Sequence, residues 1–223
     1  MFLGHYAVAF AAKKAAPKAE LGTLCMAAQW LDLLWPAFLL LGIEHVAVEP
    51  RATQVTPLNF YDYPYSHSLA MALLWAALFG VVYFLIRNSR RAAIVLGACV
   101  LSHWVLDWVS HRPDMPLWPG RSPFVGLGLW NHPALSFAVE FVGFGMALAL
   151  YLRVARQQVR PAVMWPLVAL LLLIGASSYM ASVPPSIKPV MWSAFAQWIL
   201  IAWAYTAERN STGTAEVAAS ACK

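Results

Sequence analysis

Long apolar runs separated by short polar breaks dominate the chain. From His67 to Ile86 it reads "HSLAMALLWAALFGVVYFLI", with no formally charged residue. At 1.5 Å rise per residue, about 20 such residues cross a hydrocarbon core of about 30 Å. Further runs of spanning length extend from Ala92 to about Val109, Ala134 to Leu152, Ala162 to Ser182, and Pro189 to Thr206. Residues 22–43 are also long enough, with Asp32 inside and Pro36 predicting a kink or break. Residues 2–16 are apolar but too short to cross comfortably, and predict a short N-terminal helix. The pattern predicts an all-α, polytopic helical membrane protein with about five to six transmembrane spans plus that short helix. Residues 1–207 make one helical membrane domain. The small, polar residues 208–223 predict a disordered C-terminal tail.

Composition strengthens this reading. Of 223 residues, 61% are hydrophobic and 11% charged, against about 25% charged in soluble domains. The net charge of +5 does not indicate nucleic acid, because the basic residues fall in small clusters between apolar runs. Lys13, Lys14 and Lys18 form one cluster, Arg87, Arg90 and Arg91 a second, and Arg153, Arg156 and Arg160 a third. Alternating spans put all three on one side, the cytoplasmic side by the positive-inside rule. Loops 44–66, 110–133 and 183–188 then face outward. This predicts a bacterial inner (cytoplasmic) membrane protein with a cytoplasmic C-terminus. Cys25 and Cys99 lie in apolar runs and read as packing residues, and Cys222 lies in the tail. Glu44 and His45 read as interfacial residues at the end of a span. The first twenty residues carry no basic region ahead of their apolar stretch, so they read as retained structure.

The remaining polar residues carry the chemistry. "HWVLDWVSHRPD" places His103, Asp107, His111 and Asp114 at steps of four, four and three. Residues i and i+4 share a helix face, so His103 and Asp107 can grip one cation together. Asp107 stands about 16 residues, or about 24 Å, beyond the cytoplasmic Arg91. If residues 2–34 form a helical hairpin turning at the lysines, His5 and Asp32 rise to a comparable depth. His67 begins its span at the same face. Imidazole nitrogen and carboxylate oxygen are ligands for zinc and other divalent transition metals. His5, Asp32, His67, His103 and Asp107 are therefore the predicted metal ligands, in the outer half of the membrane, with Asp32 and Asp107 the catalytic candidates. His111 and Asp114, in the exposed loop after the span, and His132 and Glu140, eight residues apart on the next span, are candidates for additional ligands or supporting hydrogen bonds.

The segments "GHY", "WLDLLWP", "YSHSL" and "SHWVLDWVSHRPDMPL", in that order, resemble the predicted membrane-bound metal-dependent hydrolases, a family similar in motif order to zinc-dependent phospholipase C. The resemblance covers roughly the first half of the chain. It implies that His5, Asp32, His67, His103 and Asp107 hold a zinc cluster. Leu34 and Trp35 depart from its pattern, and no later His-x-x-x-Glu pair matches.

Together these features predict an integral-membrane metal-dependent hydrolase. Water would be activated by one or two divalent ions, zinc first and manganese or iron as alternatives. The substrate would be a lipid or lipid-linked phosphoester, so the expected partner is membrane lipid and not nucleic acid. Homo-oligomerisation stays open. Two other readings also stay open: a transporter handling protons or metal ions, and a non-catalytic membrane protein stapled by a structural metal.

Overall fold

The structure, a computed structural model, describes residues 1–208. Among these the chain is all-α, with short hairpins only in its loops. Helices α1 (Phe2–Ala12) and α2 (Leu21–Ala28) form a hairpin whose turn carries Lys13, Lys14 and Lys18. Helix α3 (Trp30–Leu40) follows α2 at a bend of 57°. Pro36 predicts that bend, but it falls at Gln29. Pro36 sits inside α3, where it removes only the hydrogen bond that its missing N–H would make to the Asp32 carbonyl. The bend instead frees the carbonyl of Ala28, the last residue of α2, from helical pairing.

Strands β1 (His45–Val48) and β2 (Leu58–Asp62) pair antiparallel and lead into the single turn α4 (Pro64–His67). Helices α5 (Leu69–Arg87), α6 (Arg90–Ser110), α7 (Pro133–Ala155) and α8 (Pro161–Ser178) are each long and apolar enough to cross a membrane, and the bent pair α2–α3 makes a fifth candidate. The two-residue strands β3 (Met115–Pro116) and β4 (Phe124–Val125) lie between α6 and α7. The last predicted span, Pro189 to Thr206, is divided at Ala196 into α9 (Ile187–Phe195) and α10 (Gln197–Thr206).

Exposure separates lipid-facing from core-facing helices. On α5 only Ala72 is buried, while Leu73, Leu78, Val82, Leu85 and Ile86 are exposed. Such a surface is stable only against hydrocarbon. Helix α1 is the opposite case. Eleven residues cannot cross a membrane, and α1 instead packs inside the bundle against α2, α6 and α7. Leu3, Tyr6, Ala9 and Phe10 are buried, and Phe10 meets Phe144 and Tyr151 edge-on at 5.4 and 5.0 Å. Helices α5 and α6 approach closely where a Cβ on Gly80 would stand 3.0 Å from the Ala93 carbonyl and one on Gly97 3.0 Å from the Ala76 carbonyl. Small residues permit this contact, the usual way membrane helices associate.

The three basic clusters gather at one end of the bundle. Arg87 approaches Glu20 at 3.5 Å, Arg91 donates to the Ala15 carbonyl at 2.7 Å, and the Arg160 amide bonds the Ala207 carbonyl. Lys13 departs from the surface role its cluster predicts. It is buried and paired at 2.8 Å with Glu208. Glu208 also accepts from the Leu21 amide and the Tyr151 hydroxyl. Glu208, assigned to the predicted tail, is thus a buried partner of the bundle, and the rest of that tail, residues 209–223 with Cys222, lies outside the described residues.

Candidate metal centre

Four segments bring five of the predicted residues together at the end of the bundle opposite the basic clusters. α1 supplies His5, α3 Asp32, α4 His67, and α6 both His103 and Asp107. The hairpin of α1 and α2 carries His5 and Asp32 to one level. His67 Nε2 lies 3.5 Å from Asp32 Oδ1 and 3.8 Å from Asp107 Oδ2. His103 Nε2 lies 3.6 and 3.1 Å from the same two atoms. Two donors bound about 2.0–2.2 Å from one ion stand roughly 3–3.6 Å apart, and the donor atoms of Asp32, His67 and His103 all lie within 4.8 Å of one another, as do those of His5, His103 and Asp107. His5 adds a second side: its Nε2 lies 3.2 Å from Asp107 Oδ1, and its ring stacks on His103 at 3.7 Å. The Met1 amino group donates to that same Oδ1 at 2.9 Å. An ion between His5 and Asp107 would have to displace it, whereas the Asp32–His67–His103 side does not involve it.

The outward nitrogens define the inward ones. His103 Nδ1 lies 2.8 Å from the Ala28 carbonyl, which can only accept, so Nδ1 carries the proton. His67 Nδ1 lies 2.7 Å from Ser66 Oγ, and Ser66 gives its own proton to Glu44 at 2.6 Å. His67 Nδ1 is therefore also the donor. Both Nε2 atoms turn lone pairs toward carboxylate oxygens, and His103 Nε2 is fully buried with no hydrogen-bond partner. Lone pairs facing lone pairs repel until a cation or a proton sits among them. Holding the far imidazole nitrogen in this way is how proteins orient metal-binding histidines.

Glu44 and Ser66 are site residues that sequence reasoning missed. Glu44 reads as an interfacial residue at a span end, yet it is buried and accepts from the Tyr65 amide, the Ser66 amide and the Ser66 hydroxyl at 2.6–2.7 Å. It caps the N-terminus of α4 from outside that turn, 22 positions before Ser66. Only the first strand pair brings them together, so no local signal marks the contact. His45, beside it, is exposed and pairs with Asp62.

The four additional candidates separate. His111 and Asp114 are predicted in an exposed loop, but His111 is buried and Asp114 half-buried, with His111 Nδ1 2.9 Å from Asp114 Oδ1. The Tyr63 hydroxyl stands 3.4 Å from both. Burial first, then the Asp114 and Asp107 charges, raise the Tyr63 phenol well above its ordinary range, so it stays a neutral donor. Glu140 is buried but joins none of the imidazoles. It accepts from the Leu3 amide at 2.8 Å and from the Tyr179 hydroxyl at 2.8 Å, capping α1 across the bundle. His132 is exposed ahead of α7 and apart from the cluster.

A cavity of about 420 Å³ opens beside the cluster. Asp32, His67 and Asp107 lie on its wall, among aromatic residues that include Trp35, Phe60 and Trp130. The Asp32 side chain remains 28% accessible while that of His103 is fully covered, so Asp32 is the carboxylate that faces the opening.

Residues 64–184, more than half the chain, match the family model described as YdjM inner membrane protein. No curated protein and no solved structure matches the chain. The family match corrects the resemblance to the predicted membrane-bound metal-dependent hydrolases and zinc-dependent phospholipase C, to which no family model gives a match. That resemblance rests on a few polar residues in order, a pattern that any His/Asp cluster built from successive helices can produce. The family match instead spans α4 through α8.

Proposed function

The chain belongs to the YdjM inner membrane protein family, and from the geometry of its His/Asp cluster we propose that it is a metal-dependent hydrolase of a membrane-lipid phosphoester. The observation that carries this is the set of inward Nε2 lone pairs of His67 and His103, facing Asp32 and Asp107 beside a cavity. A divalent ion there, zinc by its donor chemistry with manganese or iron as alternatives, would lower the pKa of a bound water toward about 7 and polarise a phosphoryl oxygen. His67, His103 and Asp107 hold the ion. Asp32, open to the cavity, takes the proton of the attacking water. His5 buttresses His103 and is the ligand of a second ion if one binds.

Among the described residues, no lysine or arginine lines the cavity. Beyond the ion and the Asp107-paired Met1 amino group a phosphate would meet no basic side chain there, which suits a monoanionic diester better than a dianionic monoester. The apolar wall suits acyl chains. By the positive-inside rule the basic end faces the cytoplasm and the cavity opens in the outer half of the membrane.

A proton shared between His103 and Asp107, 3.1 Å apart, would satisfy the same lone pairs and make the cluster a proton relay. Elemental analysis of the purified, detergent-solubilised protein separates the two. One or two equivalents of metal are expected in the wild type and none in a His103→Ala/Asp107→Ala variant that still elutes as one folded peak. No metal in either, after reconstitution with zinc, manganese and iron in turn, sinks the hydrolase reading.

A further inference from the structure

His111, held by Asp114, sits in the wall of the same cavity, and neither residue is used by the metal set. His111 follows Asp107 by one helical turn, and its amide closes α6 on the Asp107 carbonyl at 2.7 Å. The imidazole packs against Trp130 at 4.3 Å, Phe60 at 4.9 Å and Tyr63 at 6.1 Å. Asp114 Oδ1 holds Nδ1 at 2.9 Å. Arg112 and Tyr63 hold Asp114 in turn: Arg112 Nε approaches its other oxygen at 3.3 Å, while the Arg112 guanidinium is anchored on Asn59 and the Ala52 carbonyl. With Nδ1 engaged, Nε2 is the ring atom left to the cavity that His111 lines. A carboxylate that fixes one imidazole nitrogen so that the other transfers a proton is a recurrent catalytic arrangement.

We propose that His111 is the catalytic proton donor to the leaving oxygen, with Asp114 as its positioning residue. This rests on the hydrolase reading of the adjoining site. Asp32 accepts a proton from water as the water oxygen bonds to phosphorus. The bond from phosphorus to the lipid oxygen breaks, and its electron pair stays on that oxygen. His111 Nε2 gives its proton to the same oxygen, which departs as a neutral alcohol. The imidazole is left neutral, with its remaining proton on Nδ1 and hydrogen-bonded to the Asp114 carboxylate. Return of the proton from Asp32 to His111 through solvent restores the starting state. Among the described residues the cavity wall has no lysine or arginine to stabilise a departing alkoxide, so the proton matters most for poor leaving groups.

Leaving-group dependence tests this on the full-length, metal-loaded protein in detergent. A dialkyl phosphodiester needs a proton on its departing oxygen, and a 4-nitrophenyl phosphodiester does not. His111→Ala, with His111→Gln as the more conservative variant, is expected to keep its metal content. It should slow the dialkyl ester by about 100-fold or more and the nitrophenyl ester by less than about tenfold. Equal slowing of both esters overturns the proposal. A wild-type protein that holds metal and cleaves neither ester overturns the hydrolase reading itself, a distinguishable result that takes the proposal with it. An activity-independent check is ¹⁵N-histidine NMR of the metal-free protein. His111 should be protonated at Nδ1 in the wild type and lose that preference in Asp114→Ala. Identical signals in both would remove Asp114 from its positioning role.

Discussion

At the scale of single residues, the cluster depends on hydrogen bonds one step behind its imidazoles. His67 is oriented by Ser66, and Ser66 by Glu44. Removing the Ser66 hydroxyl leaves His67 Nδ1 without its acceptor and lets the ring turn. Ser66→Ala should therefore weaken metal binding by about 10- to 100-fold with the fold intact. Competitive titration against a chelator of known affinity measures this, and unchanged affinity would mean that the Glu44–Ser66–His67 chain does not orient the ligand. The residues that meet in the cluster were legible along the chain. His103 and Asp107 stand at i and i+4 on an apolar helix, where a polar pair requires a reason. Glu44 was not legible, because a single acid at a span end looks the same whether it meets solvent or caps a helix.

At the scale of elements, one helix contact and one helix break build the centre. The bend at Gln29 leaves the Ala28 carbonyl free for His103 and places Asp32 in the first turn of α3, where the helix dipole favours a carboxylate. The α5–α6 crossing holds α6, and with it His103 and Asp107, against the segment that follows His67. A leucine at Gly97 would push against the Ala76 backbone rather than a movable side chain. Gly97→Leu should cost about 1–3 kcal/mol, read as a lower thermal unfolding midpoint in detergent. Gly143→Leu, where a Cβ meets nothing within 4 Å, is the control and should change little. Equal effects would mean that the close crossing is not what Gly97 provides. Spans α5 to α8 were legible from apolar length alone. The position of the bend was not, since Pro36 is the strongest local breaker and the break occurred seven residues earlier, where a tertiary partner takes up the freed carbonyl.

At the scale of the molecule, the two ends do different work. One end gathers the His/Asp cluster. The other is closed by Lys13 and Glu208, joined across 195 positions of chain. Glu208 also bonds the first amide of α2 and the Tyr151 hydroxyl, so it locks the hairpin that carries His5 and Asp32 onto α7. Glu208→Ala leaves a buried ammonium unpaired and should cost about 3–5 kcal/mol. Adding Lys13→Met should make the double variant less destabilised than the sum of the two single changes. Thermal unfolding of the four proteins measures the coupling, and strict additivity would mean that the pair contributes nothing as a pair.

By itself the sequence determined the membrane class, the main spans and which polar residues stand apart within them as candidates for a shared site. Apolar length and the rarity of intramembrane charge are properties of composition and spacing, readable without a fold. The tertiary structure alone decided which nitrogen of each histidine faces inward, where the broken span bends, and that Glu44, Ser66 and Glu208 are buried partners. Those depend on contacts between residues distant along the chain. A carbonyl or carboxylate declares its role only when packing has chosen its donor.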